Sequence, residues 1–474
     1  MNIDPAQEFF VEQADVLATL AHHDGLIIVD FDETLYLCNS TEDFLNAVMP
    51  AYVAALLLRV LDFLSPWRWT GGARTRDVWR LRMVMLLMPW TLRRWQLVCA
   101  RLGPQHANQP LLRALQGRAF VVASIGFAPV IKPLLAAMGC GDIPLIACGL
   151  GVAARIGGKA LLIETKLGAQ KLGAAMFITD SIEDAEVLRR CALPCLTRWE
   201  DAKFRRAFAQ IYLPGDYLAY VKRPSVPAVL RVLVTDDLVW WLLMSMTWHA
   251  PGVMFIAGVG LLFFSLWSVY EIGYFENDVC AQKFEADPVI TAEFLSFETT
   301  HFEAKAWASA LLLGGFGVAA LQPVSMLAGE IKWLVLLLGL RALYYIYNRI
   351  DKQARVWLYL ILQCFRSLAL IVVMPLGAVG IIAGVAQILA RWQAYFVYRR
   401  AKGAKWRDTP TRAVQLAMLL AGLGFMALAR PKLGNLGWPA LEFILWSGFL
   451  ARQEILSALH GIRRRKSPPR NTAS

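Results

Sequence analysis

From residue 227 onward, apolar stretches follow one another with few interruptions, at about 227–248, 252–275, 305–325, 330–348, 356–374, 376–397, 413–429 and 438–459. An apolar run of roughly 17–25 residues matches the hydrocarbon core of a bilayer, and in lipid the backbone must satisfy its own hydrogen bonds, which selects helices. Residues 216–474 are therefore expected to form an all-α polytopic membrane bundle of about eight transmembrane helices. The chain's 57% hydrophobic content agrees with several spans. Asp236 and Asp237 interrupt the first of them.

Charge then sets the orientation. The chain has 48 Lys and Arg against 36 Asp and Glu, a formal net charge of +12. The basic residues gather at Lys222-Arg223, 349–355, 399–412 and 463–466, which an even number of spans places on one side, with Arg430 and Lys432 on the other. The positive-inside rule makes the richer side cytoplasmic. Since topology accounts for the basic excess, nucleic acid is not an expected partner. Met1-Asn2-Ile3-Asp4-Pro5 lacks the basic and apolar regions of a signal peptide. A multi-pass inner (cytoplasmic) membrane protein is expected, its N-terminal domain and both termini cytosolic. The eight cysteines show no CxxC pair and no metal-ligand spacing, so reduced thiols are expected.

Residues 1–215 carry a different pattern. Short apolar runs at 27–29, 120–123, 143–148 and 176–179 alternate with helical stretches, which reads as an α/β domain with a parallel sheet. Between the first two runs lies an insertion, about 40–115, in which tryptophans 67, 69, 79, 90 and 95 are interleaved with arginines 68, 74, 76, 80, 82, 93 and 94. Its longest apolar piece, 47–58, is too short to cross a bilayer. Two readings stand side by side: a cap lying on the membrane surface, with Trp at headgroup level and Arg on phosphates, or an ordinary helical cap with a buried apolar face.

The chemistry-bearing residues sit at the ends of the apolar runs. Ile27-Ile28-Val29 runs into Asp30-x-Asp32-x-Thr34, and the second run ends at Ser124. Lys159, Lys166 and Lys171 follow, and the last run ends in Asp180, with Asp184 four residues on. In an open parallel sheet ligands bind outside the carboxyl ends of the strands. A carboxylate nucleophile attacks phosphorus once a divalent cation offsets the repulsion between two anions. A second carboxyl two residues on protonates the leaving oxygen and then activates water. A hydroxyl and a lysine stabilise the phosphoryl oxygens, and further carboxylates complete a hard-oxygen Mg²⁺ site.

This order of motifs over about residues 24–200 resembles the Mg²⁺-dependent phosphatases of the haloacid dehalogenase superfamily. The resemblance implies a Rossmann-like sheet with a substrate-selecting helical cap. It makes Asp30 the nucleophile, Asp32 the general acid and base, and Thr34, Ser124 and a lysine the phosphate ligands. Asp30, Asp32, Asp180 and Asp184 become the Mg²⁺ ligands. The lysine just before the last strand favours Lys166, with Lys159, after Gly157-Gly158, as the alternative. Thr179 stands where the family usually has glycine.

In the second half one cytosolic loop is acidic, running from Tyr270 and Glu271 through Tyr274, Glu276, Asn277 and Asp278 to Glu285 and Asp287. If the helix continues, Tyr274, Asp278 and Glu285 share a face. Carboxylates at the mouth of a bundle are costly and usually functional. The stretch resembles the first aspartate motif of UbiA-type intramembrane prenyltransferases, which implies a lipid pyrophosphate held through Mg²⁺. Asn277 and Asp278 match, Glu285 substitutes conservatively, and Ala281 replaces the middle aspartate. The segment 345–349, ending in Arg349, loosely matches a further Tyr/basic motif. The loop 391–412, where a second aspartate motif belongs, offers Asp408 among Arg391, Arg399, Arg400, Lys402, Lys405 and Arg407.

Together these resemblances imply a bifunctional membrane enzyme of polyprenyl-phosphate-linked metabolism. One half would transfer a group such as phosphoribosyl to an isoprenoid phosphate, and the other would hydrolyse a phosphomonoester on a phosphorylated small molecule or sugar. The alternative is a membrane-tethered lipid-phosphate phosphatase whose bundle only binds lipid.

Overall fold

The computed structural model describes residues 8–224, 232–249, 252–285, 288–297, 300–322, 324–400, 409–429 and 437–466. The chain divides into two compact units, Met1–Ile211 and Tyr212–Ser474.

The first unit is built on a five-stranded, fully parallel sheet of order β3-β2-β1-β4-β5. Its strands are β1 (Ile27–Val29), β2 (Phe120–Phe127), β3 (Leu145–Cys148), β4 (Met176–Thr179) and β5 (Leu193–Leu196). The chain starts in the middle strand, steps outward through β2 and β3, then returns to the other side of β1 for β4 and β5. The topological switch therefore falls between the carboxyl ends of β1 and β4, where ligands bind in open α/β sheets. Val29 pairs with Val122 and with Ile178, and Asp30 N continues the ladder to Ile178 O at 2.9 Å. All three β1 residues are buried, as in a strand covered on both faces.

The insertion between β1 and β2 is helical: α1 (Ser40–Asn46), α2 (Ala51–Leu64), α3 (Arg76–Leu87) and α4 (Thr91–His106) are its principal elements. After β2 come α5 (Ala128–Ala137) and α6 (Val152–Leu167), the latter broken by Gly158 at φ 81°. Arg155 in α6 clasps the insertion, donating to Asp77 Oδ2 (3.0 Å) in α3 and to the carbonyls of Arg74 (3.1 Å) and Ile125 (2.7 Å).

The second unit is mostly helical. Its elements are α7 (Val239–Met246), α8 (Val253–Phe284), α9 (Phe302–Leu321), α10 (Met326–Arg349), α11 (Arg355–Leu368), α12 (Ala378–Arg400), α13 (Thr411–Ala429) and α14 (Gly437–Lys466). Among the described residues four segments are long and apolar enough to cross a membrane: Val253–Phe284, Phe302–Leu321, Arg355–Val372 and Thr411–Ala429. This is fewer than the eight expected, for reasons of length and charge. The first expected span is a π-helical turn, Val234–Leu238, carrying Asp236 and Asp237, followed by an eight-residue helix. In the other three, α10 contains Glu330, Lys332 and Arg341, α12 contains Arg391, and α14 contains Glu442, Arg452 and Glu454.

The unit begins at Tyr212 because the segment after it is tied to α8. Glu271, fully buried, accepts from Tyr212 OH (2.7 Å) and from the amides of Gly215 (2.9 Å) and Leu218 (2.8 Å). All eight cysteines are free thiols.

Candidate active site

β1 ends at Val29, and the next residues turn tightly enough to bring three side chains to the same edge. Leu35 N and Tyr36 N bond back to the carbonyls of Asp30 (3.3 Å) and Phe31 (2.8 Å), while Glu33 takes a positive φ of 58°. Asp30 is buried, its Oδ1 accepting from Phe31 N (2.7 Å) and its Oδ2 from Thr179 Oγ1 (3.0 Å). Asp32 Oδ1 accepts from Ser40 N at 2.6 Å, the first amide of α1. Thr34 Oγ1 donates to Asp180 Oδ1 at 2.9 Å, joining the ends of β1 and β4.

Ser124 belongs to the same group, although it does not end its strand as expected. β2 continues to Phe127, and its register against β3 shifts between Ala123 and Phe127. Such an irregularity re-aims a side chain. Ser124 Oγ accepts from Gly126 N (2.9 Å) and lies 3.4 Å from Asp32 Oδ2. A Cβ on Gly126 would meet Ser124 Oγ at 3.0 Å and Asp32 Oδ2 at 3.1 Å, so the missing side chain leaves room for the pair.

The structure reverses the preference between the two lysines. Lys159 is buried, with its Nζ 2.8 Å from Asp30 Oδ2 and 2.5 Å from Asp184 Oδ2. Lys166 is exposed in the last turn of α6. The two are seven residues apart, so on an ideal helix they share a face and periodicity cannot separate them. They differ by about 10 Å along the axis, and only Lys159 is near the strand ends.

Thr179, expected as a change in loop geometry, also contributes a hydroxyl to the site. Its hydroxyl lies between Asp30 Oδ2 (3.0 Å) and Asp184 Oδ2 (2.6 Å), where a glycine would offer no such group. One hydroxyl proton serves only one of these acceptors at a time.

Burial dominates the electrostatics. It pushes the Asp30 carboxyl up to about 8; Lys159 opposes this, while Asp184 and Asp180 reinforce it. Burial likewise raises the carboxyls of Asp32, against the pull of Ser40, and of Asp180, against Thr34. For Lys159 burial alone would lower the pKa, but Asp184 and Asp30 outweigh it and hold the ammonium above the usual lysine range. Two carboxyls, of Asp30 and Asp184, thus contact one buried lysine, and those of Asp32 and Asp180 lie within its electrostatic reach.

That charge imbalance and the all-oxygen donor set fit a hard divalent cation such as Mg²⁺. Asp30, Asp32, Asp180 and Asp184 would be the residues to hold it. Among the described residues no three acidic, His or Cys side chains form a ready-made metal cage. Lys159, Thr34 and Thr179 instead occupy oxygens of Asp30, Asp180 and Asp184.

A pH dependence follows. An Asp30 pKa of about 8 in the folded state, against an ordinary 3.8, means that folding takes up a proton between those values. Without divalent cations, the Tm of residues 1–211 is therefore expected to fall as pH rises from about 4 to about 8, and Asp30→Asn to flatten the slope. A melt series in chelator checks this; a Tm rising over that interval would contradict the assignment.

In the helical unit the expected acidic site is not assembled. Asp278, buried in α8, accepts from Tyr217 OH (2.8 Å) and pairs with Lys222. Glu285 does not share its face, because α8 ends at Phe284 and Glu285 is extended; it pairs with Lys352 at 2.7 Å. Arg349 pairs with Glu276 (2.6 Å) rather than Asp278, and Asn277 bonds Asn348 (3.1 Å). Tyr274 packs among Trp267, Tyr270 and Tyr344. Asp287, Lys402, Lys405, Arg407, Asp408, Arg430 and Lys432 lie outside the described residues.

Asp236 and Asp237, expected as an interruption of the first span, form a polar centre. Asp237, 1% exposed, receives Arg366 at 2.6 and 3.2 Å and lies 2.7 Å from Arg391 Nη1. Arg412 pairs with Asp236 (2.7 Å), and Gln387 donates to the Asp236 carbonyl (2.7 Å). The signal was present as two aspartates and two arginines, Arg366 and Arg391, within apolar stretches, with Arg412 at the edge of another, but nothing local pairs them.

A scan against protein-family models finds no match, and none is found among curated proteins or solved structures.

Proposed function

We propose that this chain is a membrane-bound, Mg²⁺-dependent phosphomonoesterase acting through an aspartyl-phosphate on Asp30, with a lipid-linked or other phosphorylated small molecule as substrate. The observation that carries this is the convergence of Asp30, Asp32, Ser124, Lys159, Asp180 and Asp184 at the switch point of the sheet. Bound Mg²⁺ would supply charge neutralisation between nucleophile and phosphate.

An Asp30 oxygen forms the new bond to phosphorus as the ester P–O bond breaks. Asp32, whose raised pKa keeps it protonated to higher pH, gives its proton to the departing alkoxide. As a carboxylate it then takes a proton from the water that attacks phosphorus, releasing inorganic phosphate and restoring Asp30. Ser124 and Lys159 stabilise the phosphoryl oxygens. In this reading the unit and both termini are cytosolic.

A second activity, UbiA-like group transfer to an isoprenoid phosphate, draws support from the buried cluster of Asp278, Lys222 and Tyr217. Metal-mediated pyrophosphate capture there has no such support, since Asp278, Glu276 and Glu285 are each engaged by a cation.

The test is turnover of a phosphomonoester panel by the full chain with Mg²⁺ and with chelator. Lys159→Met is expected to lose activity by ~10²-fold or more, as for removal of one charge-stabilising donor, while Lys166→Met stays near wild type. Equal loss in both variants, or activity indifferent to chelator, would overturn the assignment. Transfer that survives Asp278→Asn would remove the support for the second activity.

A further inference from the structure

We propose that the outer face of the α2–α4 insertion docks on the surface of a lipid bilayer. The helix α2 is apolar on both sides. Its inner stripe, Ala54, Ala55, Leu58 and Leu61, is buried, yet Tyr52, Leu56, Val60 and Leu64, spaced four apart, form an exposed outer stripe. Only Arg59 and Asp62 interrupt the apolar surface of this helix; such a helix belongs in a largely apolar surrounding, and the first unit covers only its inner stripe.

The patch extends beyond α2. Trp90 donates to the Met49 carbonyl (2.8 Å), placing the exposed end of α3, with Leu86 79% exposed, beside the start of α2. Trp69, 84% exposed, follows one turn past the other end. Contiguous apolar surface of this kind marks an interaction site.

A bilayer is the occupant that the composition selects. Arg68 adjoins Trp69, and Arg93 and Arg94 follow Trp90; all three are exposed. Interfacial helices combine such cations, which suit anionic headgroups, with aromatic residues at headgroup depth. The same chain carries four helices able to cross a membrane, so a leaflet is always at hand. This also chooses between the two sequence readings of the insertion, and it holds whether or not Asp30 is catalytic.

The experiment uses the full chain in nanodiscs of mixed zwitterionic and anionic phospholipid. Exposed Cys364 and half-buried Cys140 and Cys191 are replaced by Ser, and Leu56→Cys or, separately, Tyr52→Cys carries an environment-sensitive fluorophore. Quenching by doxyl-labelled lipid with several-fold protection from iodide is expected at both positions. A label at exposed Leu161 reports on the rest of the unit. Arg93→Glu with Arg94→Glu should weaken doxyl quenching in anionic nanodiscs. Ready quenching by iodide would mean a solvated face. Protection from both quenchers would mean coverage by protein, either this chain's helical unit or a second copy. Either result overturns the proposal.

Discussion

Asp30→Asn is expected to lower phosphomonoester turnover by on the order of 10⁴-fold or more, the scale of removing a covalent nucleophile, without unfolding the first unit. The amide keeps the shape and the bond from Phe31 N but cannot act as an anionic nucleophile. Asp32→Asn should cost ~10²–10⁴-fold, the usual worth of a positioned acid or base. It should fall hardest on substrates with poor leaving groups, because those need the proton most. Initial rates on an aryl and an alkyl phosphate, with Tm as a folding control, separate the two. If Asp30→Asn retained near wild-type rates with an intact fold, the aspartyl-phosphate mechanism would be wrong.

The second large effect is on stability, and it lies in the helical unit. Asp237→Asn should destabilise that unit by ~3–5 kcal/mol, because removing one partner of a buried ion pair leaves the other uncompensated. Two guanidiniums, Arg366 and Arg391, lose their shared carboxylate in this variant. Adding Arg366→Met should recover part of the loss, since an apolar side chain needs no counter-charge. Thermal unfolding in detergent for the single and double variants measures the coupling. Simple additivity of the two losses would show that the pair acts independently, against the geometry.

How far the sequence could be read depends on whether partners are local. β1 and its two aspartates were legible because an apolar run stopping at charged residues is a one-dimensional signal. β5 was not: Leu193-Pro194-Cys195-Leu196 is short and contains proline, which marks it against a central strand but is compatible with an edge, where β5 lies. The choice between the two lysines was open for a related reason. Seven residues separate Lys159 from Lys166, so only the break at Gly158 and the position of the strand ends distinguish them. In the helical unit, Asp278 and Glu285 looked like partners by spacing. The helix stops between them and each turns to a lysine elsewhere in the unit. Apolar patterning located the helices of that unit, whereas its ion pairs join residues up to 176 positions apart, as in Asp236 with Arg412.

Glu271 has a practical bearing on how the chain can be divided. Three donors spread over residues 212–218 close on that single carboxylate. The connecting peptide is thereby strapped down before it reaches the bundle, much as a cable is clamped where it enters a housing. A helical unit expressed from residue 216 would discard two of the three donors and leave a fully buried acid short of partners. One expressed from residue 212 keeps the clamp, and the natural place to cut is the peptide bond after Ile211.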